Sequence, residues 1–307
     1  MASITLAEAS KLGLDDLVSG VIENIVTVND MYRFLPFQDI DGNAKAYNRE
    51  NALGDAQALD IGGTITAKSA PTYTKVTTPL TTIIGDAEVN GLLQAQRVGA
   101  NGGNDLVASQ IASKAKSVGR KYQDLMINGD SGNAGEFDGL IALTPAGQQV
   151  TATDVLSYAD LDALLHAVKS KDGQVDFLMM PARTIRSLRA LDRALGGTSG
   201  EYVNVEGIVM PAYAGIPVFR NDWIPTDVDN SAGTGTATDT YVFAGNFDDG
   251  SEKVGMAGLT SAENMGIHVE QVGAMEAKDE HIWRIKFYSS FALYSGLSVA
   301  MLKEVSN

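Results

Sequence analysis

Apolar residues recur along this chain in two rhythms, one helical and one strand-like. Leu14, Leu17, Val18, Val21, Ile22 and Ile25 fall at helical spacing and predict an amphipathic helix, followed by a strand. Val107, Ile111, Ala115, Val118, Tyr122 and Leu125 advance by four, four, three, four and three residues, one unbroken stripe. They predict a long helix over about 104–128, capped by Asn104 or Asp105 and ended by Gly129. Such a helix spans roughly 35 Å, about twice the ordinary length. Further on, Ser157 is placed to cap a helix whose apolar face carries Tyr158, Leu161, Leu165 and Val168. A buried strand is predicted over 175–180. Pro181 then opens a helix with Ile185, Leu188, Leu191 and Leu195 on one side and Gly196 at its end. Beyond Gly197 the rhythm shortens to strands over 215–221, 240–244, 266–273 and 281–302. In the last of these Trp283, Ile285 and Phe287 alternate with Arg284 and Lys286. The Ser/Thr/Gly/Asp-rich stretch 227–239 reads as an exposed loop, and no internal repeat is present.

Residues 42–80 break the pattern. Ala, Gly and Thr dominate, and large apolar residues are sparse. Thr64, Ile65, Thr66 and then Tyr73 to Thr77 show strand-like alternation, with turns at Gly62-Gly63 and Ser69-Ala70-Pro71. A long β-hairpin follows from this. A lone two-stranded ribbon is marginal in water, so it must lie on something, and in an assembling protein it is a natural clasp over the next chain. Tyr47, Ile65, Tyr73 and Val76 are the candidate contact residues. Lys114, Lys116, Arg120 and Lys121 on the long helix are candidate interface charges, with the acidic N-terminal helix of the same or an adjacent chain as their partner.

Composition narrows the chemistry. The 307 residues hold one or two folding units, and 44% are hydrophobic, with no apolar run long enough for a membrane span and no secretion signal. There is no cysteine, which excludes disulfides, thiolate metal sites and a cysteine nucleophile. A net charge of -15 opposes general adhesion to nucleic acid, and it reads either as plain solubility or as an acidic container wall that does not stick to packed DNA. The glycine-rich turn 129–135 lacks the Gly-Lys-Ser/Thr ending of a phosphate loop and follows a helix where a strand is required. The stretch 233–238 lacks the third glycine of a dinucleotide fingerprint. Asp227, Asp229 and Ser231 begin a calcium-loop spacing that fails at Ala232 and Thr238. His166, His268 and His281 have no zinc-site spacing, and no Gly-x-Ser-x-Gly elbow occurs. No catalytic residue, cofactor or metal site is assigned.

The order of elements carries a resemblance. Met126-Ile127-Asn128-Gly129 runs through to Gly139-Leu140-Ile141 after the long helix. Gly215-Ile216-Pro217-Val218-Phe219 precedes Asn221-Asp222, and Trp283-Arg284-Ile285-Lys286-Phe287 leads to Val299-Ala300-Met301-Leu302-Lys303. With the acidic arm and the Thr/Gly-rich hairpin, this ordered set resembles the major capsid proteins of tailed bacteriophages, whose fold encapsulins share. The resemblance implies an α+β fold with an N-terminal arm at 1–41 and an extended loop at 42–80. It also implies a peripheral domain at 81–151 and 266–307 that includes the spine helix 104–128, and an axial domain at 152–265. It further implies a structural protein and not an enzyme. Such proteins assemble with themselves, as pentamers and hexamers, into an icosahedral shell around double-stranded DNA in the host bacterial cytoplasm. Scaffolding, portal and decoration proteins are the implied partners, and no membrane is involved. Because the arm starts at Met1, a separate scaffolding protein or none is expected. Lys68 and Lys75 lie in the loop without an identifiable crosslinking partner, so no crosslink is predicted. Two rivals remain: an encapsulin-type nanocompartment shell, and a soluble α/β enzyme or ligand-binding protein.

Overall fold

A computed structural model describes residues 29–92, 106–171, 173–194, 196, 200–228 and 238–306. The predicted helix over 14–25, the caps Asn104 and Asp105, Leu195, and Asp229 and Ser231 of the calcium-like spacing lie outside the described residues.

In chain order the elements are α1 (Met31–Phe34), β1 (Phe37–Ile40), β2 (Ala44–Ala52), β3 (Thr72–Pro79), β4 (Thr81–Asn90), α2 (Leu106–Asn128) and α3 (Leu140–Leu143). Next come β5 (Gln149–Thr151), α4 (Tyr158–Lys169), β6 (Phe177–Met180), α5 (Ala182–Ala194), β7 (Tyr202–Val205), β8 (Ile208–Tyr213) and β9 (Ile216–Arg220). Five strands close the chain: β10 (Thr240–Gly245), β11 (Met256–Ser261), β12 (Ile267–Ala274), β13 (Glu280–Leu293) and β14 (Val299–Val305).

The first sheet has five strands, ordered β1-β11-β13-β12, with β4 on the opposite edge of β13. At 14 residues, β13 is long enough to pair with β12 along its first half and with β11 along its second. Helix α2 lies across β4 and β13, and Tyr122 anchors it there. The Tyr122 ring is fully buried, with the rings of Tyr32, Phe37, Phe137 and Phe287 centred 5.9, 5.8, 5.8 and 5.1 Å away. Its hydroxyl donates to the Ser290 carbonyl at 3.2 Å, and burial pushes its pKa up. The predicted stripe is graded in depth. Val118, Tyr122 and Leu125 are buried, whereas Val107, Ile111 and Ala115 are only half-buried.

The second sheet has seven strands, ordered β5-β14-β10-β6-β9-β8-β7. Strand β6 is buried throughout because both sheet faces are covered. Its alternation sends Phe177 and Met179 into the core shared with α2, and Leu178 and Met180 into a second core beneath α4 and α5. Helix α4 starts with a capping box: Ser157 Oγ accepts from the Asp160 N–H, and the Asp160 carboxylate accepts from the Ser157 N–H, both at 3.2 Å.

Each sheet draws strands from both sides of the expected boundaries at 151/152 and 265/266. Strand β14 and its parallel partner β5 belong to the seven-stranded sheet, and β11 to the five-stranded one. The chain crosses between sheets through the short turn at 295–298, where the Ser298 N–H donates to the Ser295 carbonyl at 3.1 Å. Thr64, Ile65 and Thr66 lie in no strand: β2 and β3 pair from Ala44↔Pro79 to Ala52↔Thr72, and 53–71 is irregular. Gly129 does end α2, but without a left-handed φ. A Cβ there would sit 2.3 Å from the Phe137 carbonyl oxygen, so glycine is needed for close approach. That contact closes the 129–139 loop, where the Gly139 N–H donates to the Gly129 carbonyl at 2.9 Å.

Candidate assembly interface

The β2–β3 ribbon is fixed at its base and free at its tip. At the base, the Tyr47 hydroxyl donates to the Leu293 carbonyl at 2.7 Å, and Arg49 Nε donates to the Tyr294 carbonyl at 2.8 Å. Tyr47 and Tyr294 meet edge to face at 5.2 Å, the Arg49 guanidinium sits over the Tyr47 ring, and Lys45 pairs with Glu252 at 2.6 Å. Burial raises the Tyr47 pKa, against the pull of Arg49. A cleft of about 660 Å³ opens between this base and the loop Ser295–Leu297. Beyond Ala52 the ribbon touches itself. Gln57 Oε1 accepts from the Thr66 and Ala67 N–H groups at 2.8 and 2.7 Å, and its amide donates to the Thr64 carbonyl at 3.1 Å. This clamp holds the tip in shape while leaving its apolar side chains in solvent. Ile61 is fully exposed and Leu53 is 78% exposed, with Leu59, Ile65 and Tyr73 also exposed.

The candidate residues therefore separate. Ile65 and Tyr73 stand exposed on the ribbon, and Val76 is half-buried. Tyr47, expected to face a neighbour, is used by its own chain. Leu53, Ile61, Gln57 and Arg49 were not singled out beforehand. The two apolar residues had a signal, since each is isolated in a polar stretch. Arg49 had none, because its partners lie about 245 residues away in sequence.

The four cations on α2 do not form one face. At about 100° per residue, Lys114 and Lys121 flank the apolar stripe, while Lys116 and Arg120 lie roughly opposite it. Lys121 pairs with Asp124 at 3.2 Å and Glu136 at 3.6 Å within its own chain. Arg120 lies 5.7 Å from the centre of the Trp223 ring. Lys114 passes beside Gly85 and adds to the field that lowers the Asp86 pKa. Their expected acidic partner, the N-terminal helix, is outside the described residues. Among the described residues, no cluster of carboxylates and histidines could hold a metal, and no helix is long and apolar enough to cross a membrane.

Solved structures share the whole fold. The SrpI encapsulin complex of Synechococcus elongatus PCC 7942 matches at 17% identity and a TM-score of 0.73, covering 100% of this chain and 97% of that one. The capsid of cyanophage A-1(L) matches at 12% identity and 0.72, over 99% and 100%. The capsid of the native GTA particle matches at 12% identity and 0.70, over 100% of both chains. At these identities the likeness shows the fold alone. A family model sharpens this: the model of the SU10 major capsid protein matches residues 61–234. The chain belongs to the SU10 major capsid protein family. No curated protein sequence matches it.

Proposed function

We propose that this chain builds the icosahedral head shell of a tailed phage, as pentamers and hexamers around double-stranded DNA. It assembles in the host bacterial cytoplasm with scaffolding, portal and decoration proteins, and its role is structural, not enzymatic. The observation that carries the assembly mechanism is the ribbon. Its base is bonded to its own chain, and its tip leaves Leu53, Leu59, Ile61, Ile65 and Tyr73 in solvent. In isolation that tip gains nothing from its apolar side chains. Laid across a neighbouring copy, each buried side chain contributes by area, less the entropy of ordering it. Ile65, Tyr73 and Val76 act as loop contacts, and Lys114 and Lys116 as charges facing a neighbour. Membership in the capsid family favours phage DNA over the enclosed cargo of an encapsulin.

The test is the size of the purified native protein by light scattering and negative-stain electron microscopy. Hollow icosahedral particles containing DNA support the reading. Particles filled with a protein cargo would shift it to a compartment, and a species of one to four chains that stays small with its co-expressed neighbours would refute it.

A further inference from the structure

Helix α5 carries an arginine face that the fold does not consume. Arg183, Arg186, Arg189 and Arg193 are four of the chain's ten arginines, yet they sit on 13 residues. At about 100° per residue they occupy an arc of roughly 120°, opposite the buried Thr184, Ile185 and Leu188. The Arg183 guanidinium donates to the Thr238 carbonyl. Arg186, Arg189 and Arg193 are exposed, and none takes part in an ion pair among the described residues.

The nearby carboxylates are held by other groups. Asp192, on the same helix, accepts from the Tyr158 hydroxyl at 2.6 Å, and Asp162 accepts from the Tyr213 hydroxyl at 2.7 Å. Asp30, which shares a small cleft with Arg189, accepts from the Arg220 N–H at 3.0 Å. The same layer ends, on α4, with the exposed Lys169. A chain of net charge -15 thus concentrates unneutralised guanidinium groups on one helix. Guanidinium groups are weakly hydrated and match phosphate oxygens two at a time. From Arg186 to Arg193 the helix rises about 10 Å, the reach of a few phosphates along one DNA strand.

We propose that the arginine face of α5 contacts the sugar-phosphate backbone of double-stranded DNA, which makes the α4–α5 layer the inner lining of the shell. The contact is independent of base sequence. This inference rests on the shell reading, and the experiment separates the two. The R186Q/R189Q/R193Q chain is compared with wild type for particle formation and, with both as unassembled chains, for binding of a labelled duplex of about 20 base pairs across a salt series. The variant is expected to form the same particles. Its duplex affinity should fall at low salt, and the slope of log K against log salt should shrink by about 2.7, from three phosphates at about 0.9 each. Intact particles with an unchanged slope overturn the inference and leave the shell reading standing. Folded variant chains that no longer form particles also overturn it, because the arginines then bind another copy. If wild type forms no particles, the shell reading fails while the duplex series still reads the arginine face. A second measurement needs no variant: phenylglyoxal labelling of DNA-filled and emptied wild-type particles, read by mass spectrometry. Protection of Arg186, Arg189 and Arg193 by DNA is expected, and equal labelling in both overturns the inference.

Discussion

Replacing two tip residues, Leu53 and Ile61, with serine tests the clasp directly. Ile61 is fully exposed and Leu53 is 78% exposed in the single chain, so nearly their whole apolar surface is available to a neighbour. Full burial of such a side chain contributes about 1.5–3 kcal/mol, so at mid-range, with Leu53 already partly covered, the pair contributes about 4 kcal/mol. Ordering each side chain at an interface costs about 0.5–1.5 kcal/mol, leaving about 1–3 kcal/mol per ribbon. With about 1.4 kcal/mol per factor of ten, L53S/I61S should raise the critical concentration for assembly by about 5- to 150-fold. Light scattering against protein concentration measures this. The unassembled chain should melt as wild type does, because the fold gains nothing from either side chain. A double variant that assembles at the wild-type concentration would refute the clasp, whatever else the ribbon does.

Other expectations concern the fold itself, read by denaturant unfolding of the unassembled chain. Y122F removes a buried hydrogen bond to Ser290 and should cost about 1 kcal/mol, while Y122A empties the aromatic core and should cost about 3–5 kcal/mol. G129A places a Cβ against the Phe137 carbonyl and should cost about 1–3 kcal/mol; an unchanged midpoint would show that the 129–139 loop can give way. Asp86 takes two hydrogen bonds from Arg284, both at 2.9 Å, and this pairing lowers its pKa below the ordinary 3.8. A lowered pKa contributes stability above the unfolded value, and that stability is lost as pH falls through the folded one. The gap between wild type and D86N should therefore close on acidification below about pH 4, and a gap that persists would remove Asp86 from the account.

What the sequence made legible were the elements with a sustained rhythm. Val107 to Leu125 keeps helical spacing over five turns, and Ser157 with Asp160 forms its box within four residues, so both could be read locally. The alternation of Trp283, Ile285 and Phe287 marked β13 for the same reason. What escaped depends on distant partners. Thr64-Ile65-Thr66 has the β-branched content of a strand but no second strand to pair with. In β4, Gly85-Asp86 interrupts the local alternation, and the strand is held by its pairing with β13 about two hundred residues away. Strand β1 pairs with β11 across more than two hundred residues, which no local rhythm records. In the candidate interface the sparse apolar residues of the tip were visible in the sequence, while the contacts of Tyr47 with Leu293 and Tyr294 of its own chain were not. An aromatic in a sparse segment signals burial but not whose surface buries it.

The position of the ribbon's base has a mechanical consequence. Tyr47 and Arg49 hold the backbone at Leu293 and Tyr294, where β13 ends and the chain turns toward β14 in the other sheet. Any pull that a neighbour exerts on the tip enters the subunit at that joint. Tension passes along β13 into one sheet and, a few residues on, through β14 into the other. The subunit is thus loaded at its seam, and strain arriving from one copy is divided between both halves of the next.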